Sequence, residues 1–172
     1  IRYLLRRVGR GELKAAVLWL LFGNLPRAAV DEFADEYARH VVLHQMFPQA
    51  IATLRGHLQA GDHVVLLSAS PDLYVPRIGL LLGVDETHCT RIRWTGDRLD
   101  GHLDGLNRRD QEKLRVVEQL RLAHPGLPVI AYGNSSPDLV HMRHCEQAVY
   151  VNADAGLARQ LTEAGIRCVN WR

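Results

Sequence analysis

The sequence predicts an α/β fold, a parallel sheet flanked by helices, behind an all-helical N-terminal region. Three observations predict it. From His63 onward, short apolar runs ending in small polar residues alternate with helix-length amphipathic segments, the pattern of right-handed β–α–β crossovers. Before His63 every segment has helical periodicity. The 172 residues are 47% apolar and 23% charged, enough for one substantial core and ordinary for a globular chain.

The elements follow in order. Arg2, Arg6, Arg7 and Arg10 stand among Ile1, Tyr3, Leu4, Leu5 and Val8, and residues 15–22 are then continuously apolar up to Gly23. A membrane-spanning helix needs about 20 such residues, and this run is too short. Two readings stay open: a pair of helices packed on each other, or an interfacial helix whose arginines rest on anionic lipid. Residues 28–43 form a helix with Asp31, Glu32, Asp35 and Glu36 near its start, where the helix dipole favours acids. Pro48 opens a third helix that Gly61 closes. His40 and His44 are one helical turn apart but lack a supporting acid, so they read as surface histidines rather than metal ligands.

Residues 63–71 read as a buried strand ending in hydroxyls, followed by a helix over 72–82. A second strand-like run covers 87–94, and residues 95–101 turn it back into a short returning strand. Residues 108–123 are helical, with Leu114, Val117 and Leu120 inward. Residues 128–132 form a buried strand that breaks at Gly133 into Asn134-Ser135-Ser136-Pro137-Asp138 before a helix from Leu139. A strand over 147–151, a helix over 155–164 and a strand over 167–171 complete the chain. The domain boundary is expected near the third helix, with a helical region over 1–55 and an α/β core over 56–172.

In open α/β sheets, ligands bind beyond the carboxyl ends of the strands. The turn at 133–138 is such a place. Asn134 and Asp138 offer oxygens suited to a hard cation such as Mg²⁺; the plainer reading makes Asp138 a helix cap. A net charge of +2 gives no global pull towards nucleic acid. The three cysteines, Cys89, Cys145 and Cys168, show neither paired nor metal-ligand spacing. They read as thiols of a reducing compartment, which places the chain in the cytoplasm.

Three features fall in sequence: Leu66-Leu67-Ser68-Ala69-Ser70 at a strand end, Lys113 near a helix start, and Gly133-Asn134-Ser135-Ser136-Pro137-Asp138. This series resembles the haloacid dehalogenase-like (HAD) phosphohydrolases, in the branch that includes phosphoserine phosphatase. The helical start, the Glu112-Lys113 helix and the closing residues 165–171 look most like bacterial phosphatidylglycerophosphatase C-type proteins. The resemblance implies a Rossmann-like core, a helical cap and a Mg²⁺-dependent phosphatase working through an aspartyl-phosphate. It gives Ser68 and the Ala69 N–H the phosphoryl oxygens, Lys113 the charge on nucleophile and phosphate, and Asn134 and Asp138 the metal side. These four side chains are expected to converge, and Lys113 to be removable at little cost to the fold.

Two departures stand out. Asn134 occupies a position that is often Asp in the family, and an amide brings no charge to a metal. The family's nucleophile motif, D-x-D-x-T/V, is absent from the chain; it is expected upstream of Ile1, so that the first strand of the sheet is missing. The implied substrate is a phosphorylated small molecule or a phospholipid headgroup, the latter with peripheral contact of residues 1–22 at the inner face of the membrane. The alternative is a non-catalytic module that binds a phosphorylated ligand or partner.

Overall fold

The computed structural model describes residues 9–171. Its elements are α1 (Arg10–Phe22), α2 (Arg27–His44), α3 (Pro48–Ala60), β1 (Val65–Pro71), α4 (Val75–Leu82), β2 (Glu86–Thr90), β3 (Ile92–Thr95), β4 (Arg98–Leu103), α5 (Gln111–Ala123), β5 (Ile130–Gly133), α6 (Leu139–Met142), β6 (Gln147–Val151), α7 (Ala155–Glu163) and β7 (Arg167–Val169). Apart from the β3–β4 hairpin, helices alternate with parallel strands from β1 onward, as the sequence predicts. The chain divides into two compact units, residues 1–46 with 60–108, and residues 47–59 with 109–172.

In the first unit, β1 pairs in parallel with β2, and β3 pairs antiparallel with β4. The strand expected over 87–94 is therefore two strands, parted at Arg91. Up to Thr90 the chain follows β1; beyond it the direction changes so that Trp94 can face Leu99 across the hairpin. Helix α1 packs on β4 and α2 on α4, so the two helices do not form a pair packed chiefly on each other. Gly11 makes the α1 contact possible: a Cβ there would lie 2.7 Å from Leu103 Cδ1. The core of this unit joins Val30, Leu73, Ile92 and Leu99, with Leu18 and Phe22 of α1 against it. Arg77 of α4 ties down α2 through Asp31 at 2.7 Å and Asp35 at 2.5 Å.

In the second unit β5, β6 and β7 form a three-stranded parallel sheet in that order. Its core is Ala131, Met142, Tyr150, Leu161 and Ile166. The inward stripe of α5 runs through Lys113, Val116 and Val117; of the expected residues Val117 is buried, while Leu114 and Leu120 are only half-buried. Strand β5 is less covered than its apolar sequence suggests. Ile130 and Tyr132, which share one face of the strand, are exposed. Among the described residues, no single helix is long and apolar enough to cross a membrane. Arg2, Arg6 and Arg7 lie outside the described residues.

Candidate active site

The loop after β5 is built by close approach. A Cβ on Gly133 would lie 2.6 Å from Met142 Sδ and 2.8 Å from Asp138 Cβ, so only glycine lets the chain fold back over α6. Ser135 then caps a single 3-10 turn over Ser136–Asp138, and Asp138 closes the capping box as its third residue. Asp138 is thus the reciprocal partner of that cap, and it also stands at the N-cap position of α6, where its side chain makes no capping hydrogen bond. Its Oδ2 accepts from Ser135 Oγ at 2.7 Å, from Ser135 N–H at 3.2 Å and, more weakly, from Asn134 N–H at 3.4 Å. Its Oδ1 accepts from Lys113 Nζ at 2.6 Å.

The Lys113–Asp138 pair is buried, with side chains 11% and 9% exposed. Burial alone would raise the Asp138 carboxyl. The Lys113 ammonium and the Ser135 hydroxyl outweigh it, and the carboxyl lies below the ordinary aspartate range. Both oxygens of Asp138 are engaged, so its geometry is that of a group that aims the lysine and ties the loop. Asn134, by contrast, is exposed. The helix that follows Asp138 has four residues only, too short to present an anion-binding terminus.

Nothing in the sequence pattern singles out His141. It is buried on α6, and its Nδ1 has no hydrogen-bond partner among the described residues. Burial, and then the positive charge of Lys113, depress its pKa to about 4, against a smaller opposing pull from Asp138. The imidazole is neutral near neutral pH. Lys113 therefore has one buried anion and one buried neutral ring in its surroundings.

In the first unit, β1 leaves its ladder where the motif begins. From Leu67 to Pro71 the strand takes four steps while β2 takes two, from His88 to Thr90, so residues 68–70 bulge out. Bulges of this kind re-aim side chains near functional sites. Ser70 N–H donates to Ser68 Oγ at 3.1 Å. That contact occupies one lone pair of the hydroxyl and leaves its proton free to donate. The Ala69 carbonyl accepts from Thr90 Oγ1 at 2.8 Å and from Lys14 Nζ. The structure thus joins Lys113, Asp138 and the Asn134 backbone in one unit and holds Ser68 and Ala69 in a bulge of the other.

A family model for haloacid dehalogenase-like hydrolases matches residues 2–143. The chain belongs to that family. Among its relatives, this HAD chain is 34% identical over 131 residues to Protein CicA of Caulobacter vibrioides (strain NA1000 / CB15N), a match covering 75% of the chain and 58% of CicA. It is 24% identical over 148 residues to a histidinol-phosphatase of Neisseria meningitidis serogroup C (strain 8013), covering 82% of the chain and 66% of the relative. The fold is shared with a probable phosphoserine phosphatase from Vibrio cholerae, at a TM-score of 0.67 and 16% identity over 98% of this chain and 54% of that one. The HAD chain thus spans little more than half the length of CicA and of the Vibrio protein, and the predicted HAD membership is confirmed by the family match.

Proposed function

We propose that this chain is part of a phosphomonoester hydrolase of the HAD superfamily. One observation carries the reading: a lysine and an aspartate, far apart in sequence, form a buried ion pair directly under the Gly133–Asp138 loop. Phosphoryl transfer asks chiefly for positioning and charge compensation in a sheltered place. A lysine held by a buried carboxylate supplies that compensation in advance. Ser68 donates its free hydroxyl proton, and Ala69 its N–H, to phosphoryl oxygens. Asp138 fixes the direction of the Lys113 ammonium. The attacking carboxylate comes from a D-x-D-x-T/V strand upstream of Ile1, and β1 and β5 are each edge strands that a further parallel strand could join. Residues 1–55 serve as the cap and 56–172 as the core.

The residues suit Mg²⁺ in part. The exposed Asn134 amide offers one neutral oxygen on the loop, while the Asp138 oxygens are already engaged; a hard cation needing several oxygen ligands takes the rest from water, phosphate and the upstream carboxylates. When bound, the ion neutralises charge on the transferring group.

The substrate class is a phosphorylated small molecule, as the name of the Neisseria relative suggests for that protein. A second reading has one observation in its favour. Leu20 and Leu21 of α1 are 77% and 62% exposed, and with Arg10 and the preceding arginines they suit the surface of an anionic membrane. On that reading the substrate is a phospholipid headgroup phosphate, handled at the cytoplasmic face.

The test uses the full-length gene product beside residues 1–172 alone. With Mg²⁺, the full-length protein hydrolyses p-nitrophenyl phosphate and loses that activity in EDTA. Residues 1–172 alone are slower by a factor on the order of 10⁶, the usual cost of a lost nucleophile. Turnover by residues 1–172 would show that the nucleophile is wrongly assigned, and an inactive full-length protein that still binds phosphate would favour the non-catalytic module. Salt-sensitive binding to anionic vesicles decides between the lipid and the small-molecule substrate.

A further inference from the structure

The chain has 21 basic residues besides histidine, of which only Lys14 and Lys113 are lysines. A lysine is a compact point charge where arginine is a planar fork. In a chain that uses arginine almost everywhere, both lysines bond to residues of the predicted site. Lys113 meets Asp138. Lys14, on α1, donates to the Ala69 carbonyl and to Asn107 Oδ1, the latter at 2.9 Å.

The local sequence makes that reach possible. Gly11 brings α1 close to Leu103 and Asn107, where an added Cβ would lie 2.7 Å and 3.1 Å from their side chains. Ala15 is fully buried. Residues 11, 14 and 15 share one helical face, so Lys14 points where α1 is pressed against the unit. Its ammonium is pinned between two oxygens rather than solvated at large.

The Ala69 carbonyl already accepts from the buried Thr90 hydroxyl at 2.8 Å, and Thr90 in turn accepts from Arg108 N–H at 3.0 Å. Satisfying the carbonyl does not require a second, charged donor, and immobilising a lysine carries an entropic cost. What the ammonium adds is polarisation. The Ala69 carbonyl and the Ser70 N–H belong to one peptide, and a cation on the oxygen strengthens the N–H as a donor. That N–H donates to Ser68 Oγ.

We propose that Lys14 is a positioning residue for Ser68. Acting through the Ala69–Ser70 peptide, it fixes one lone pair of the Ser68 hydroxyl and so turns the proton towards a phosphoryl oxygen. The inference rests on the reading of Ser68 as a phosphoryl donor. It links α1 to the phosphate loop by three consecutive hydrogen-bonded groups.

The experiment is a double-mutant cycle in the full-length protein, with kcat and KM on p-nitrophenyl phosphate in Mg²⁺. Ser68→Ala lowers kcat by about 10², as for loss of one donor to a developing charge. Lys14→Met lowers kcat about tenfold, the effect of a misplaced group, with KM changed by less than about twofold. In the Ser68→Ala background Lys14→Met has almost no further effect, because groups acting in series are not additive. An equal fold-loss from Lys14→Met in both backgrounds would overturn the proposal, since Lys14 would then act on the substrate or on the scaffold at large. So would an unchanged kcat in Lys14→Met. If that variant does not fold, Lys14→Gln replaces it, with the same coupling to Ser68 expected and an additive or absent loss again overturning the proposal. An active Ser68→Ala protein would instead remove the phosphoryl-donor reading itself, whatever Lys14 does.

Discussion

In residues 68–70 the held object is the backbone. Hydrogen bonds converge on a carbonyl, the loop is half-buried, and a cationic partner, Lys14, comes from α1. In residues 133–138 the held object is a carboxylate. Four donors converge on Asp138, one of them the buried Lys113 ammonium. The first arrangement can lose Lys14 and keep the Ala69 carbonyl satisfied, because Thr90 still reaches it, although the single Thr90 proton cannot then also serve Asn107 Oδ1. The second cannot lose Lys113 without leaving an anion out of water and unpaired. Stability and function are therefore separable in the first loop and fused in the second.

The largest expected effect follows from that contrast. Lys113 was expected from its place near a helix start to be removable at little cost to the fold; its burial against Asp138 reverses the expectation. Breaking a buried pair by removing one partner costs about 3–5 kcal/mol, so Lys113→Met should unfold at markedly lower urea concentration than the parent. Ser68→Ala should stay within about 1 kcal/mol, the net worth of one ordinary hydrogen bond. Lys113→Met combined with Asp138→Leu should recover part of the lost stability and none of the activity. Urea midpoints of the four proteins check this. Equal midpoints for Lys113→Met and Ser68→Ala would break the contrast between the loops.

The pH dependence of stability should belong mainly to the second loop. His141 has a folded pKa of about 4, below the ordinary histidine value of 6.5. The unfolded chain therefore binds its proton first as pH falls. The stability linked to this group is intact above about pH 6.5 and is lost progressively down to about pH 4. The change is on the order of 3 kcal/mol over that window. His141→Leu removes both the titration and the orphaned Nδ1, so urea stability measured at pH 7.5 and pH 5 should differ less than in the parent. An unchanged difference would mean that other groups set the acid limb.

Much of this was legible in the sequence, and the gaps have physical causes. The alternation of strand and helix after His63 was plain because period-2 and period-3.6 patterns switch cleanly there. The pairing of Lys113 with Asp138 brings together two residues that the sequence singled out on short motifs; the roles proposed for them and for Ser68 rest on the family resemblance. The capping box was also present as Ser135-x-x-Asp138, yet the same four letters allow Asp138 to be read as the cap. The break at Arg91 was hidden because a parallel strand and a hairpin strand share one apolar texture. The burial of Lys113 and the contact from Lys14 to Ala69 depend on chain segments far apart, and periodicity says nothing of those. His141 looks in sequence like any histidine on an apolar helix.

The smallest effect concerns Asn134. It is exposed on the loop while Asp138 beside it is buried and engaged, so of the two residues expected on the metal side it is the one with an oxygen to offer. Asn134→Asp keeps the side-chain shape and adds a charge at the exposed edge, where the cost to stability should stay within about 0.5 kcal/mol. A carboxylate binds a hard cation more strongly than an amide oxygen does. The Mg²⁺ concentration for half-maximal phosphatase activity of the full-length protein should therefore fall several-fold, with the urea midpoint unchanged. Asn134→Leu should raise that concentration and again leave the midpoint alone. If neither substitution moves the Mg²⁺ dependence, the metal side of the site lies entirely on other residues, and the loop at 133–138 serves only to hold Lys113 in place.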